Sequence, residues 1–303
     1  MKNSKIILLA LAVLAAAACG PKYANKAERV VAELHNPDSK YVVVAAHRGD
    51  WRNYPENSIP AIESAIRMGV DIVEIDLKMT SDSVLVLSHD YTCNRTTTGK
   101  GLISTMTLDS LKKFNLRTGH GIRTQYKIPT LKEALEVCKD RIAVNVDQGY
   151  EYYDQVLAVT EELGVTDQIL IKGKKTLAEV SAKTAEHPHN MMYMPIIDIQ
   201  RENGAALFAQ YMEAGEVPLA YEVCFSELDD TVKTCCEKVV GTGSKLWINT
   251  LWPSLQGGYD DDRAFEASNP DDVYGVILGL GTSIIQTDRP EFLINYLKKK
   301  GRR

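Results

Sequence analysis

The chain has 303 residues, of which 45% are hydrophobic, and a formal net charge of −5 at pH 7. This length suffices for one large domain or two modest ones. The acidic balance and the lack of a basic patch argue against nucleic acid as a partner, because proteins that bind phosphate backbones present clustered lysines and arginines.

The first 40 residues have the pattern of a targeting signal followed by a tether. A basic start, MKNSK, precedes the apolar run IILLALAVLAAAA, and Cys19 follows three alanines. The apolar run is shorter than the roughly 20 residues that a spanning helix needs, although an uncleaved anchor is the alternative. Small residues directly before a cysteine resemble the processing site of bacterial lipoproteins.

We therefore expect residues 1–18 to be a lipoprotein signal peptide and Cys19 to be lipidated. Residues 19–40 are expected to form a tether with a short helix, Asn25–His35. These features predict an exported lipoprotein that is anchored to the outer membrane and faces the periplasm or the cell surface.

After residue 40 the chain alternates between strand-like and helix-like segments. Most of the strand-like runs are continuously apolar, which is typical of strands covered on both faces. The eight predicted strands are Tyr41–Ala46, Asp71–Leu77, Arg141–Asp147, Gln168–Lys172, Met191–Asp198, Leu219–Phe225, Lys245–Leu251 and Ser283–Asp288. The predicted helices are Ile59–Met68, Leu131–Lys139, Tyr152–Leu163, Leu177–Glu186, Ala205–Ala214, Leu228–Val239, Asp271–Leu278 and Glu291–Lys299. This alternation favours a (β/α)8 TIM barrel over residues 41–303, with a doubly wound open sheet as the main rival.

One segment, at about residues 80–129, interrupts the alternation. It contains a strand-like run, Val84–Ser88, and a short helical pattern, Leu108–Phe114. We expect it to be a small lobe inserted between the second strand and its helix, over the C-terminal mouth of the barrel. Elsewhere, Asn203-Gly204 is expected to mark a helix end.

Two carboxylates lie close together in the second predicted strand. Glu74 and Asp76 are two residues apart, so their side chains point to the same face. Because they repel each other, a shared proton, a cationic side chain or a metal must neutralise them. A hard divalent cation fits this set of oxygen ligands, with Asp147 at the end of the third strand as the third ligand. The alternative is a structural salt bridge with a lysine of the barrel.

Two histidines lie at neighbouring points of the same predicted edge. His47 ends the first strand and is followed by Arg48, and His89 lies in the inserted lobe and is followed by Asp90. Such a pair beside carboxylates suggests general acid–base chemistry. Arg48 offers a planar fork for a phosphate or carboxylate oxygen. A divalent metal, an arginine and two histidines are the parts that phosphoryl transfer requires.

Residues 45–135 carry, in order, several blocks that resemble the glycerophosphodiester phosphodiesterase family. They include His-Arg-Gly, Pro-Glu-Asn-Ser, Glu-x-Asp, a Thr-x-Asp-x-x-x-Val-x-x-His-Asp run and an Arg-Thr-Thr run, and a closing Thr-Asp-x-Pro follows near the C-terminus. The resemblance implies the TIM barrel with an inserted lobe. It also implies metal-dependent hydrolysis of glycerophosphodiesters from deacylated phospholipids to an alcohol and glycerol 3-phosphate, through attack by the glycerol 2-hydroxyl.

Roles for individual residues follow from the same resemblance. The catalytic pair would be His47 and His89, and one Ca²⁺ or Mg²⁺ would be bound by Glu74, Asp76 and an acid at the end of the third strand. Arg48 would bind the phosphate. The expected supporting residues are Glu56, Asn57, Asp90 and Asp288.

The middle of the chain departs from the family pattern. The family's third strand ends Glu-x-Lys, whereas this chain has Asp147 and Gly149 at those positions. We expect Lys172, at the end of the fourth strand, to supply the missing cation, although a solvent-facing lysine is the alternative. Glu222 and Trp247 are expected to contribute to substrate binding. The similarity is thin from about residue 148 to 280, so the alcohol that leaves is not predicted.

Two other functions stay open from the sequence. The same barrel could act on another phosphodiester or on a glycoside, as the altered third strand suggests. A non-catalytic lipoprotein that binds sugar or lipid head groups is the third hypothesis. Both histidines, the arginine and all three acids argue against it, because a binding module needs no proton-transfer pair.

Overall fold

The computed structural model describes residues 22–147 and 149–303. The predicted signal peptide, residues 1–18, and the predicted lipidation site, Cys19, lie outside these ranges. Within them, no helix combines the length and the apolar character that a bilayer crossing requires.

The strands of the described residues form one sheet that closes on itself. They are β1 (Val43–Ala46), β2 (Ile72–Met79), β3 (Leu85–Leu87), β4 (Ala143–Asp147), β5 (Ile169–Gly173), β6 (Met192–Asp198), β7 (Ala220–Cys224), β8 (Lys245–Asn249) and β9 (Ile284–Thr287). All but β3 are parallel, and β1 pairs with both β2 and β9, which closes the ring. β3 pairs antiparallel with β2 outside the ring. The closed ring confirms the predicted TIM barrel and excludes the open sheet.

The described residues form eleven α-helices. They are α1 (Lys26–His35), α2 (Ile59–Met68), α3 (Leu108–Lys112), α4 (Leu131–Cys138), α5 (Tyr153–Leu163), α6 (Leu177–Thr184), α7 (Glu202–Ala214), α8 (Asp230–Gly241), α9 (Asp261–Glu266), α10 (Tyr274–Gly279) and α11 (Pro290–Lys299). α1 precedes the first strand, α3 lies in the inserted lobe, and the others follow strands of the barrel and cover its outer face. The predicted strands differ from the observed ones by at most two residues at either end. The short helix α9, between β8 and α10, was not predicted.

Asn203-Gly204, expected to lie just outside a helix that begins at Ala205, instead form part of the first turn of α7, which begins at Glu202. The absence of a side chain at Gly204 allows α7 to pack closely against the end of β6. A Cβ at this position would lie 2.0 Å from the backbone oxygen of Asp198 at the end of β6. The glycine therefore lets α7 start directly against the strand that it follows.

The helix α1 closes the N-terminal end of the barrel. Its buried residues Val30 and Leu34 pack in one apolar cluster with residues that point into the barrel, such as Val43 and Ile72. The backbone N–H of Ala27 also donates to the oxygen of Asp140, just before β4. The short helix in the segment predicted as a tether is thus part of the packed core.

The inserted lobe, residues 80–129, has a small apolar core of its own. Its buried members are Val86, Cys93, Ile103, Leu111, Leu116 and Ile128. The backbone N–H of Ser88 donates to the oxygen of Asp76 over 3.0 Å, which fixes the lobe to the end of β2. This contact brings the next two residues, His89 and Asp90, to the mouth of the barrel.

Candidate active site

Three carboxylates meet at the C-terminal ends of β2 and β4. The register of the two strands sets Asp76 beside Asp147 and Glu74 beside Asn145. One carboxylate oxygen each from Glu74, Asp76 and Asp147 lies within 4.8 Å of the others. Burial, followed by the charge of Asp76, raises the pKa of Glu74 well above its usual value. Without a cation, three ionised carboxylates this close together are unfavourable because their charges repel each other. Their oxygen atoms are the ligands that a hard divalent ion prefers.

The loop after β1 fixes two of these carboxylates. The backbone N–H of Arg48 donates to Glu74 Oε2 over 2.9 Å. Asn57 Nδ2 donates to Asp76 Oδ2 over 2.7 Å, and Asn57 Oδ1 accepts the backbone N–H of Asp76 over 3.0 Å. Each carboxylate thus has one oxygen engaged by a hydrogen bond from this loop. Bonds of this kind orient metal ligands.

The same loop needs an unusual backbone. Arg48 has a φ of 53° and Gly49 a φ of 75°, both in the left-handed region. A Cβ at Gly49 would lie 2.9 Å from the backbone carbon of Ala61 in α2, so glycine is required there. The left-handed conformation is unfavourable for an arginine, and such backbone strain is typical of functional sites. It turns the N–H of Arg48 toward Glu74.

The guanidinium of Arg48 is held by two carboxylates. Its Nη1 donates to Glu56 Oε1 over 3.0 Å, and its Nε lies 3.3 Å from Asp76 Oδ2. Glu56 also accepts two hydrogen bonds from Arg95 of the lobe. Although burial opposes its ionisation, Arg95 and Arg48 lower the pKa of Glu56. Glu56 therefore joins the first loop to the lobe, and Arg48 is preorganised to bind an anion.

Each histidine is oriented by a carboxylate. His47 Nδ1 lies 2.8 Å from Asp288 Oδ1, and His89 Nδ1 lies 2.8 Å from Asp90 Oδ1. Because an ionised carboxylate only accepts, Nδ1 carries the proton in each neutral ring and Nε2 is left as the acceptor. His47 is 8% exposed, whereas the side chain of His89 is 42% exposed.

The two supporting carboxylates are themselves held. Asp288 Oδ1 accepts a hydrogen bond from Trp51 Nε1 over 2.6 Å. Asp90 Oδ2 accepts one from Arg95 Nε over 2.8 Å. The bonds from Arg95 keep the pKa of Asp90 well below its usual value, despite the opposing effect of partial burial. Asp90 is therefore ionised at neutral pH and fixes the tautomer of His89.

Lys172 lies inside the barrel mouth, not in solvent. Its Nζ is 3.2 Å from Glu222 Oε2 and 3.7 Å from Asp147 Oδ1. Although burial opposes the charge, Glu222, Asp147 and Glu74 raise the pKa of Lys172 above its usual range. The lysine thus connects the acidic triad to β7. Its ammonium group is charged at any working pH.

Glu222 and Trp247 lie deeper than expected for residues that contact a substrate. Glu222 Oε1 accepts a hydrogen bond from Asn249 Nδ2 over 2.8 Å, and its other oxygen faces Lys172. Trp247 is fully buried, and its ring centroid lies 5.9 Å from the Nζ of Lys172. Glu222 is therefore the counterion of the lysine, and Trp247 forms the floor beneath it.

The position that carries a lysine in the family's pattern has little room here. A Cβ added to Gly149 would lie 3.0 Å from Ile171 Cγ2 and 3.0 Å from Val146 Cγ1. Contacts this short require the neighbouring side chains to shift. Gly149 also begins a short 3-10 helix, not an extension of β4.

Three contributors to the site were not predicted as such. Arg95 bridges Glu56 and Asp90, and Trp51 supports Asp288. Trp252, in the loop after β8, is 44% exposed, and its ring centroid lies 6.2 Å from that of His47. Arg95 belongs to the Arg-Thr-Thr run, which could have indicated it, whereas the sequence around Trp252 gives no such signal.

A second group of side chains with metal-binding chemistry lies on the outside of the barrel. It consists of Asp154, Glu186 and His187. Lys183 Nζ already lies 2.7 Å from Asp154 and 2.8 Å from Glu186. A cationic side chain therefore neutralises this group.

Comparison with known proteins divides the chain into two parts. Residues 47–193 match the family described as glycerophosphoryl diester phosphodiesterase, and residues 193–297 match a family described as a domain of unknown function. The first match includes both histidines, Arg48, the acidic triad and Lys172. The second includes Glu222, Trp247 and Asp288.

Curated relatives resemble the first part. A glycerophosphodiester phosphodiesterase of Caldanaerobacter subterraneus subsp. tengcongensis is 33% identical over 137 residues, which are 43% of this chain and 56% of the relative. Glycerophosphodiester phosphodiesterase 1 of Mus musculus is 42% identical over 100 residues, which are 32% of this chain and 30% of the relative. The chain therefore matches only about a third to a half of the length of these relatives.

Solved structures of other proteins superpose on nearly the whole barrel of this chain. A glycerophosphoryl diester phosphodiesterase from Parabacteroides distasonis superposes with a TM-score of 0.74 at 22% identity, over 90% of this chain and 92% of the other. A phosphodiesterase from Oleispira antarctica superposes with a TM-score of 0.63 at 23% identity, over 84% and 96% of the two chains. At this level of identity the likeness establishes the fold.

Proposed function

We propose that the protein hydrolyses glycerophosphodiesters to an alcohol and glycerol 3-phosphate, because residues 47–193 match the glycerophosphoryl diester phosphodiesterase family. The observation that carries this proposal is the pair His47 and His89, each bound through Nδ1 to a carboxylate, beside the acidic triad and Arg48. The Oleispira antarctica structure of the same fold is described as a complex with the product sn-glycerol-3-phosphate. This supports the substrate class.

Glu74, Asp76 and Asp147 would hold one divalent cation, Ca²⁺ or Mg²⁺. The three residues offer only oxygen ligands, at the spacing that one ion can bridge, and hard cations prefer such ligands. When bound, the ion would neutralise charge on the phosphate and make the phosphorus more electrophilic.

The protein's own residues supply proton transfer and anchoring. With Nδ1 bound to a carboxylate, Nε2 of one histidine accepts the proton of the attacking hydroxyl group. The other histidine, in the imidazolium form that its carboxylate partner stabilises, delivers its Nε2 proton to the leaving alkoxide, which departs as the alcohol. Water then opens the resulting cyclic phosphate to glycerol 3-phosphate, with the acid and base roles of the two histidines exchanged. Arg48, already held by Glu56 and Asp76, binds a phosphate oxygen through its remaining N–H groups.

Lys172 takes the part of the lysine that the family carries at the position of Gly149. Around the mouth, four carboxylates (Glu74, Asp76, Asp147 and Glu222) face Arg48 and Lys172, and the charges of Asp76 and Asp147 also act on the buried Lys78. A divalent cation and these three cationic side chains would balance the four carboxylates and the single charge of a bound phosphodiester. Removing Lys172 would leave an excess negative charge where the substrate must bind.

The N-terminal signal places this activity outside the cytoplasm in our proposal. Cys19 would carry the lipid anchor, and the barrel would act as an exported lipoprotein on small phosphodiesters. The support is the sequence pattern of residues 1–19, in which a basic start and a short apolar run precede three alanines and a cysteine.

The test is product formation by the purified protein. Glycerol 3-phosphate release from glycerophosphocholine, glycerophosphoethanolamine and glycerophosphoinositol should be measured before and after EDTA treatment, and again with added Ca²⁺ or Mg²⁺. Bis(p-nitrophenyl) phosphate and a p-nitrophenyl glycoside serve as alternative substrates. We expect turnover of at least one glycerophosphodiester that EDTA abolishes and a metal restores. Turnover of only the aryl diester or the glycoside would contradict the proposal, and so would activity that EDTA does not affect.

A further inference from the structure

Asp261 is a carboxylate buried behind the site that the proposed chemistry does not use. It begins α9 and is completely inaccessible to solvent. It belongs to the part of the chain that matches a family of unknown function. A buried carboxylate is unfavourable unless hydrogen bonds compensate for its lost hydration.

Four donors bind the carboxylate of Asp261. They are the hydroxyls of Thr250 (2.8 Å), Tyr274 (2.8 Å) and Thr287 (2.9 Å), all to Oδ1, and the backbone N–H of Asp288 (2.6 Å), to Oδ2. The backbone N–H of Asp261 in turn donates to the oxygen of Thr250 over 2.7 Å. One side chain thus ties together the ends of β8 and β9 and the start of α10.

The contact with Asp288 leads directly to a proposed catalytic group. Asp288 holds His47 Nδ1 over 2.8 Å. The hydrogen bond from its own N–H to Asp261 Oδ2 fixes its backbone at the point where β9 ends. We propose that Asp261 is a positioning residue, which holds Asp288 in the place from which it orients His47.

A purely structural role is the competing explanation, since Asp261 also joins three elements of the core. The two roles predict different results. A structural residue would affect the free energy of unfolding and leave the turnover of each folded molecule unchanged. A positioning residue lowers kcat with little effect on KM, because misalignment of His47 affects the transition state and not substrate binding.

The test compares Asp261→Ala and Asp261→Asn with Asp271→Asn, the control. Asp271 is a partly exposed carboxylate nearby that binds Lys300 and the hydroxyl of Tyr296 and has no contact with the proposed catalytic residues. Because the inference rests on the proposed function, turnover of a glycerophosphodiester is one readout. The second is independent of activity. It is the NMR signal of the Nδ1 proton of His47, assigned by its loss in His47→Gln.

We expect Asp261→Ala to lose about tenfold to a hundredfold in kcat, with KM within about twofold of wild type. Asp261→Asn should lose less, because its amide oxygen can still accept from Asp288 if the amide turns. The His47 signal should shift or broaden in both variants and stay unchanged in Asp271→Asn. If Asp261→Ala does not fold, the kcat and the His47 signal of Asp261→Asn alone distinguish the positioning role from the structural one.

Wild-type kcat together with an unchanged His47 signal in every folded Asp261 variant would overturn the positioning role. If the wild-type protein hydrolyses no glycerophosphodiester, the proposed function fails, and the NMR signal still tests the inference. A shifted signal in the Asp261 variants would then support it, and an unshifted signal would reject it.

Discussion

Removing the buried cation at Lys172 should affect both stability and catalysis, and a double variant can separate the two effects. Lys172 Nζ lies 3.2 Å from Glu222 and 3.7 Å from Asp147. At an effective dielectric constant of about 20, a charge pair at the shorter distance interacts by about 5 kcal/mol. Removing one member of a buried pair usually costs about 3–5 kcal/mol, because the other charge is left uncompensated. We expect Lys172→Met to lower the free energy of unfolding by an amount in this range.

The double variant Lys172→Met/Glu222→Gln removes the pair together. Urea denaturation should show that it regains most of the lost stability, since no buried charge on β7 is left without a partner. If Lys172 also serves the phosphate, kcat/KM for glycerophosphocholine should stay at least about tenfold below wild type, which corresponds to about 1.4 kcal/mol. Lys174→Ala, at an exposed lysine nearby, is the control and should match wild type in both assays.

Recovery of both stability and activity in the double variant would refute this reasoning. It would mean that Lys172 only neutralises Glu222 and that the phosphate needs no second cation from β5. A lysine restored at Gly149 is not expected to rescue Lys172→Met, because the first side-chain carbon would lie 3.0 Å from Ile171 and from Val146.

Four further predictions have defined outcomes. His47→Ala and His89→Ala should each lower kcat by roughly 10²–10⁴-fold with an unchanged circular dichroism spectrum, and near-normal turnover in either variant would remove that histidine from the mechanism. Asp76→Asn should weaken binding of Ca²⁺ or Mg²⁺ in calorimetric titration by at least about tenfold, whereas equal affinity would exclude Asp76 as a ligand. Burial raises the pKa of Asp261 to about 7, so the native state keeps a proton that the unfolded chain loses near pH 4. Wild-type stability in urea should therefore fall more steeply from about pH 4 to pH 7 than that of Asp261→Asn, in which other buried carboxyl groups such as Glu74 still contribute. A parallel decline in both proteins would contradict this assignment. Gly204→Ala should lower the free energy of unfolding by about 1–3 kcal/mol, because the added carbon meets backbone, and an unchanged urea midpoint would contradict the packing argument.

The barrel was predictable because each of its strands is a short apolar run that ends in polar residues. Buried parallel strands show this pattern regardless of what the loops contain. The acidic triad was predictable for the same reason, since Glu74 and Asp76 share a face and Asp147 ends a neighbouring strand. The pairing of β2 with β4 sets these residues side by side.

The depth of a residue inside the barrel was not predictable from its position in the chain. Trp247 was expected to contact the substrate, yet it lies at the centre of β8 and the structure buries it completely. Lys172 had two possible orientations, and only the three-dimensional arrangement of Glu222 and Asp147 distinguishes them. Asp261 lies 27 residues before Asp288, on a short helix without an apolar pattern, so its contact with the site left no signal in the sequence.

The contacts of Gly204 and Arg95 were likewise not predictable from the sequence alone. Gly204 was expected to lie just outside its helix, because glycine commonly flanks helices, but it lies in the first turn of α7 and permits close packing against the end of β6. Arg95 belongs to a recognisable motif, yet its double pairing with Glu56 and Asp90 depends on how the lobe folds over the mouth.

The central claim is that a carboxylate-oriented histidine acts on a glycerophosphodiester beside a metal held by the acidic triad. The most direct test is the rate of glycerol 3-phosphate release from glycerophosphocholine, glycerophosphoethanolamine or glycerophosphoinositol, whichever the wild type turns over fastest. Wild type and His47→Ala should be compared at the same measured content of divalent metal per protein. We predict steady release by the wild type, and a rate at least about 10²-fold lower for the variant. Equal rates at equal metal content, or no release from any of the three by metal-loaded wild type, would contradict the account.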